Sequence, residues 1–202
     1  MHTDGTNVNR KVQQGVETRA ALLAAGRRLF GGQGYADTST EDLAAAAGVT
    51  KGALYHQFSG KDDVFRAVYE QVKQQITEDV APSFMQRDPW DALVGGCMAT
   101  LDAYLDAEVR RIVMSDGRSV LGWEAVRDVE ARYGAIVLRG ALRKAMHAGV
   151  IERQPLAPLA NMLNGAIAEA CELIGDAEDP KAARTEIGGV VVRLLDGLKP
   201  RA

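Results

Sequence analysis

The stretch TEDLAAAAGVTKGALYHQFSGK, residues 40–61, has the pattern of two short helices separated by a tight turn. Ala44 is small enough to let a second helix cross closely, and Gly48 permits the backbone of the turn. Four apolar positions have the spacing to fix both helices onto a preceding one: Leu43, Val49, Leu54 and Phe58. This arrangement predicts a helix-turn-helix, in which the second helix enters the major groove of DNA.

The second helix offers a face suited to phosphate groups. Three of its exposed positions carry hydrogen-bond donors: Lys51, Tyr55 and His56. Gly52 and Ala53 are small and let the helix N-terminus, which itself attracts anions, approach DNA closely. Thr50 is placed both to cap the helix and to reach a phosphate.

Lys61 stands at the start of the next helix, where a cation opposes the helix dipole at a cost of about 0.3–1 kcal/mol. An anion from outside the protein would account for this placement. The alternative is that Lys61 is simply solvated.

The rest of the chain has helical periodicity, and no alternating β-branched run is bounded by a hairpin turn. We therefore predict an all-α protein of about nine helices, preceded by a polar, disordered arm over residues 1–14. Eight helices and one short, less regular piece over 108–117 are expected. The helices are placed at about 15–31, 41–47, 51–58, 61–80, 89–107, 122–148, 155–175 and 180–198.

Composition and charge exclude several classes of protein. Of 202 residues, 47% are hydrophobic and 25% charged, which excludes collagen, low-complexity linkers and disordered tails. Residues 1–61 carry seven Lys/Arg and five Asp/Glu, whereas residues 62–202 carry 17 and 22. A mildly basic front and an acidic rear suggest two tasks in one chain.

The compartment is predicted from what the sequence contains. Two cysteines, Cys97 and Cys171, are too few for a disulfide framework, so a reducing compartment and buried thiols are expected. The polar residues 1–11 predict no signal peptide. The most apolar stretch, 156–174, is interrupted by asparagine and glutamate and is too polar for a membrane helix. We expect a cytoplasmic protein.

Enzymatic, cofactor and metal sites are not indicated. The glycine cluster of residues 31–34 lacks the Lys-Ser/Thr and the preceding strand of a phosphate loop, so it is interpreted as a helix stop. The histidines do not have metal-ligand spacing, and residues 115–119 lack the G-x-S-x-G pattern. No enzyme activity, cofactor or metal is therefore expected.

Residues 18–65 resemble the N-terminal domain of the tetracycline-repressor (TetR) family of bacterial transcription regulators. The resemblance is carried by Leu29-Phe30, Gly34-Tyr35, Thr38-Ser39, Ala47-Gly48-Val49, the run from Lys51 to His56, Phe58 and Lys61. Thr40 departs from the pattern, since the family usually has Val or Ile there.

The resemblance implies a DNA-binding domain over residues 15–60 and a ligand-binding and dimerisation domain over residues 61–202. It implies a homodimer that binds a palindromic operator. By position, the implied DNA contacts are Thr40, Thr50, Lys51, Tyr55, His56 and Lys61, with Gly52 as a point of close approach and Leu54 and Phe58 in the core.

A ligand site is predicted from apolar, adaptable side chains in residues 61–202, and these side chains favour a small and largely apolar effector. The candidates are Met98, Leu101, Tyr104, Met114, Trp123 and Asn161. Plain core packing is the alternative for each of the apolar members. Asn161 and Asn164 interrupt an apolar helix and either orient a polar ligand group or lie on the surface.

A dimer is predicted from apolar stripes on the last two helices, which form a four-helix bundle when two chains meet. The candidate residues are Leu159, Leu163, Ile167, Ile187, Val191 and Leu194, with Gly188-Gly189 allowing close approach. The alternative is that both stripes pack only within one chain. A function of another class, a helical interaction protein that does not bind DNA, is also considered.

Overall fold

The computed structural model describes residues 4–200, with side chains from residue 12 onward, and this part of the chain is helical without a strand. A π-helical segment, Arg111–Asp116, joins α6 to α7 without a break, so the described residues form nine separate helical segments. The helices are α1 (Asp4–Gln33), α2 (Thr40–Ala46), α3 (Lys51–Gln57), α4 (Lys61–Phe84), α5 (Pro89–Ala103), α6 (Ala107–Arg110), α7 (Gly117–Arg132), α8 (Gly134–His147), α9 (Leu156–Asp176) and α10 (Pro180–Asp196). The predicted all-α fold class is confirmed.

Helices α1, α2 and α3 form a small bundle whose core consists of fully buried side chains: Leu22, Phe30, Leu43, Leu54 and Phe58. Helix α2 begins at a capping box, because the Ser39 side chain accepts from the Asp42 amide and the Asp42 carboxylate accepts from the Ser39 amide. The turn to α3 passes through Gly48 at a φ of 67°, in the left-handed region. Its neighbour Val49 donates to the Ala44 carbonyl at 3.0 Å, which closes the turn.

Helix α4 runs out of this bundle into the larger one, formed by α5 to α10 around it. Phe65, near its start, packs edge-to-face on Phe30 with ring centroids 5.1 Å apart. Further along α4, Val72, Ile76 and Val80 are buried in the core of this larger bundle, which we call the rear bundle. No helix within residues 4–200 is long and apolar enough to cross a membrane.

The two bundles are also joined through α1 and the segment around α6. Arg27 on α1 contacts Glu108 on α6 at 2.6 Å. The Tyr35 amide, between α1 and α2, donates to Asp116 at 2.8 Å. Arg111 donates to the Gly32 carbonyl. The π-helical segment therefore contacts the N-terminal bundle directly.

Three predicted boundaries are wrong. Helix α1 begins at Asp4 rather than Gly15, so residues 4–14 of the predicted arm are helical, and residues 1–3 lie outside the described range. The arm contains Lys, Arg and Gln, which favour helix, and extending an existing helix requires no new nucleus.

The predicted helix over 122–148 is two helices, α7 and α8, because the chain breaks at Tyr133 before Gly134. A Cβ at Gly134 would lie 2.5 Å from a Glu130 carboxylate oxygen, so the end of the Glu130 side chain would have to shift to admit one. The piece over 108–117, expected to be irregular, is helical through its π segment. Gly122, the expected start, is instead a kink inside α7 with a φ of 79°.

Replacing Gly48 with alanine is expected to lower the free energy of unfolding by about 1–2 kcal/mol, because a Cβ is strained in the left-handed region. The matched control is Gly140→Ala, in the exposed interior of α8 with nothing within 4 Å of the new Cβ. That change is expected to raise the free energy by about 0.5–1 kcal/mol. Urea unfolding at equal protein concentration measures both, and a Gly48→Ala variant as stable as wild type would contradict the turn geometry.

Candidate functional site

One face of helix α3 packs on the core of the N-terminal bundle, and the other face is exposed to solvent. Leu54 is fully buried, and the guanidinium of Arg19 on α1 lies 4.3 Å from the centroid of the buried Phe58 ring. Thr50 caps the helix by accepting from the Ala53 amide at 3.1 Å. The opposite face, with Lys51, Gly52, Tyr55 and His56, is exposed to solvent. The four residues predicted from this helix therefore share one outward surface.

The cation on this surface already has a partner. Lys51 forms an ion pair with Glu41 on α2, and both side chains are more than half exposed. The hydrogen bond from Lys51 lowers the pKa of Glu41 to about 2, and the same contact raises the pKa of Lys51. The pair brings the starts of α2 and α3 together, beside Thr40, whose hydroxyl donates to Glu41 at 3.0 Å.

Lys61 is held by the protein itself. Its ammonium donates to the Tyr35 carbonyl at 2.9 Å and lies 4.0 Å from the centroid of the Tyr35 ring. The Tyr35 hydroxyl in turn bonds to Asp62, and burial together with this carboxylate raises the pKa of Tyr35 to about 12. These contacts account for the position of the Lys61 ammonium at the start of α4, and the contact of Lys61 with an outside anion stays a prediction.

An inner cavity of about 60 Å³ lies in the rear bundle beside the middle of α4. Its walls are mostly apolar, with Ile76, Val80, Phe84 and Ile167 among them, and it holds one charged pair. Lys73 is 5% exposed, and its ammonium lies 2.6 Å from Glu130 on α7 and 2.9 Å from the Tyr104 hydroxyl. Burial opposes the charge of Lys73, but Tyr104 and Glu130 outweigh it and raise the pKa.

An open cleft of about 1050 Å³, between α7, α8 and α9, adjoins this cavity. Met114, Glu130, Asn164 and Ala168 line both spaces and form the wall between them. Tyr69 also lines the cleft, and its hydroxyl is buried with no hydrogen-bond partner. We call the two spaces the inner cavity and the outer cleft.

The predicted ligand residues separate into three groups. Tyr104 and Met114 line the inner cavity, while Trp123 and Asn161 line the outer cleft. Leu101 and Met98 line neither space: Leu101 is fully buried in the core, and the Met98 sulfur lies 3.6 Å from the Arg184 guanidinium.

Lys73 and Glu130 were missed by sequence reasoning. Lys73 follows Tyr69 by four residues and precedes Ile76 by three, so it lies on the apolar stripe of α4. A charged residue on an apolar helical stripe was the signal in the sequence that could have identified Lys73.

The predicted dimer residues are mostly internal. Ile167 and Val191 are buried within the chain, and Leu159, Leu163 and Ile187 are half-buried against its core. A Cβ placed at Gly188 would lie 2.8 Å from the Arg184 guanidinium and 3.3 Å from the Met98 sulfur of the same chain. Leu194 is 55% exposed, and it shares α9 and α10 with other exposed apolar side chains: Met162, Leu173 and Val190.

Both cysteines lie in the core, as predicted. Cys97 and Cys171 are buried, and burial raises the pKa of each thiol to about 12. Neither is therefore a reactive thiolate near neutral pH.

Two family models match the chain. One described as the C-terminal domain of tetracyclin repressor-like proteins covers residues 90–198, and one described as bacterial regulatory proteins of the tetR family covers residues 22–68. A TetR-family transcriptional regulator of known structure from Pectobacterium atrosepticum is 36% identical, with a TM-score of 0.83, over 94% of this chain and 98% of that one.

Curated relatives agree. The Transposon Tn10 TetC protein of Escherichia coli is 25% identical over 79% of this chain and 81% of its own length. The HTH-type transcriptional regulator TtgR of Pseudomonas putida is 34% identical over 52% of this chain and 51% of its own. The match to TtgR, a helix-turn-helix transcriptional regulator by name, does not favour an interaction protein that leaves DNA unbound. The chain belongs to the TetR family and is a DNA-binding transcriptional regulator.

Proposed function

We propose that the protein is a homodimeric repressor that binds a palindromic operator through α3 and leaves it when a small effector binds in the rear bundle. The outward face of α3 carries this proposal, because buried Leu54 and Phe58 hold Lys51, Tyr55 and His56 at the surface. A protein with this task acts in the cytoplasm, where the bacterial chromosome lies. Residues 15–60 would then form the DNA-binding domain and residues 61–202 the effector and dimer domain.

Contacts to DNA divide by type. Lys51 and Lys61 are proposed to meet phosphates, with the hydroxyls of Thr40 and Thr50 beside them. Tyr55 and His56 would lie deeper along the face of α3, and Gly52 would let the backbone come close. Phosphate contacts set position and base contacts set sequence preference.

Communication between the sites is supported by the continuity of α4. This helix carries Lys61 at the DNA-binding end and Lys73 in the inner cavity. An effector that tilts α4 would change the separation of the two recognition helices, which must match half-sites about 34–36 Å apart. Release requires that the effector bind the DNA-incompetent shape more tightly, by about 1–3 kcal/mol.

The dimer is proposed to form through the exposed faces of α9 and α10. Met162, Leu173, Val190 and Leu194 are between 43% and 75% exposed there. Clusters of large apolar side chains on a surface mark interaction sites. The predicted helices are retained in this proposal, but the contacting side chains differ from those expected, since Ile167 and Val191 serve the core of one chain.

Replacing Lys51 or Lys61 with alanine is expected to weaken binding to all DNA sequences about equally and to flatten the salt dependence by roughly one unit per phosphate lost. Arg87→Ala, which removes the same charge from an exposed position between α4 and α5, is the matched control and should leave the slope unchanged. Binding is measured on fragments that the protein selects from its own genome. A Lys61→Ala variant that loses affinity at constant slope would show that Lys61 only supports Tyr35.

Replacing Leu194 with glutamate is expected to convert the dimer to a monomer, because each interface buries this residue from both chains. Met85→Glu, at a 74% exposed position just after α4, is the control and should remain dimeric. Sedimentation at micromolar concentration reports the mass. A wild-type monomer would end the dimer proposal, and a dimeric Leu194→Glu variant would place the interface elsewhere.

If no genomic fragment is retained by the purified dimer, the repressor proposal fails.

A further inference from the structure

Lys73 is a charge placed where stability does not require one. It sits on the apolar stripe of α4, between Tyr69 and Ile76, and is 5% exposed. Buried ion pairs contribute little net stability, since apolar side chains of similar volume usually serve as well. Lys73 lines the inner cavity together with its partners Tyr104 and Glu130, so this group of polar residues borders a space rather than packed neighbours alone.

We propose that Lys73 is the recognition group for the effector, and that the effector is a small organic monocarboxylate with an apolar body. This inference rests on the proposed function and names the chemical class of its ligand. A carboxylate matches the charge and hydrogen-bond donors of the ammonium. Ile76, Val80 and Phe84 along the same side of α4 supply an apolar surface for the adjoining carbons.

The dimensions of the two spaces fix how such a ligand sits. A dry protein cavity that holds benzene measures about 150 Å³, whereas the inner cavity measures about 60 Å³. A carboxylate and one or two carbons fit there, but a whole drug-sized molecule does not. The rest of the ligand would extend past the wall into the outer cleft, whose volume is about 1050 Å³.

Glu130 occupies the position that the ligand would take. Its carboxylate lies 2.6 Å from the Lys73 ammonium, its side chain is 28% exposed, and it lines both the inner cavity and the outer cleft. Binding would then exchange one carboxylate for another, with Glu130 turning outward into the cleft. The charge of Lys73 stays balanced throughout, so no isolated buried cation is created.

Two neutral groups complete the head-group site. Burial raises the pKa of Tyr104 to about 12, so its hydroxyl keeps its proton near neutral pH. The Tyr104 oxygen accepts from Lys73, which leaves its proton for a carboxylate oxygen. The Asn164 side chain lies in the wall beside Glu130 and offers a second neutral donor.

The exchange would act on the helix that carries the DNA-binding bundle. Lys73 belongs to α4 and Glu130 to α7, so ligand binding removes an ion pair between them. The second pair between these helices, Glu70 with Arg132 at 2.8 Å, is more exposed and lies outside the inner cavity. Loss of the buried contact would free the middle of α4 to move relative to α7.

The test measures binding of hexanoate, octanoate, benzoate and phenylacetate, each beside its primary amide, by calorimetry and by the fluorescence of the protein, which includes Trp123 in the cleft. We expect at least one acid to bind about tenfold or more tightly than its amide. Glu130→Gln removes the competing charge and is expected to tighten binding of that acid about tenfold while leaving the amide unchanged. Lys73→Met should abolish the preference for the acid.

Glu70→Gln is the matched control, because it breaks the other α4–α7 ion pair and should leave the preference intact. Acids that bind no better than amides, or an affinity unchanged or weakened in Glu130→Gln, would show that Lys73 and Glu130 only join two helices. Failure of all four acids to bind at millimolar concentration would also overturn the inference.

Operator binding by the ligand-free protein is measured in parallel. If the ligand-free protein does not bind operator DNA, only the repressor proposal is rejected. If an acid binds but does not release the operator, the ligand class is supported and the proposed switch is rejected. If Lys73→Met does not fold, the Glu130→Gln result decides.

Discussion

Helix α4 buries Phe65 in the N-terminal bundle and Ile76 and Val80 in the rear bundle, so one continuous helix contributes side chains to two hydrophobic cores. Neither bundle can rotate against the other without bending this helix or repacking one of its ends. Protein cores resist such repacking because they are close-packed. A small displacement at the middle of α4 would therefore shift the start of this helix and the packed helices α1 to α3 with it.

The contacts around Asp116 form a second connection between the N-terminal and rear bundles, in addition to α4. Asp116 ends the π-helical segment and accepts from the Tyr35 amide, while Met114 of the same segment lines the inner cavity. Tyr35 also receives the Lys61 ammonium on its carbonyl. One hydrogen bond thus joins the π-helical segment, which lines the inner cavity, to Tyr35 just before α2, and a second joins Tyr35 to Lys61 at the start of α4. Segments of π-helix often mark functional positions.

The sequence was most informative where structure depends on neighbours in the chain. The turn at Gly48, the cap at Thr50 and the buried Leu54 all follow from local spacing, and the structure confirms them. The Lys73–Glu130 pair joins residues far apart in sequence, and only the packing of α4 on α7 brings them together. Ile167 and Val191 illustrate the same limit. An apolar stripe predicts that a side chain is covered, but tertiary packing decides what covers it, and these two side chains are buried in the core of one chain.

The ion pair between Lys51 and Glu41 bears on how the free protein searches a chromosome. With its ammonium matched by a carboxylate, the recognition face presents less positive charge to an arbitrary stretch of duplex, and the chain as a whole carries a net charge of −3. Weak attraction to random sequence shortens each unproductive encounter. Because both side chains are more than half exposed, the pair is weak, and Lys51 can exchange Glu41 for a phosphate at little cost once the correct site is reached. The pair therefore lowers the positive charge of the α3 surface in the free protein and contributes little to stability.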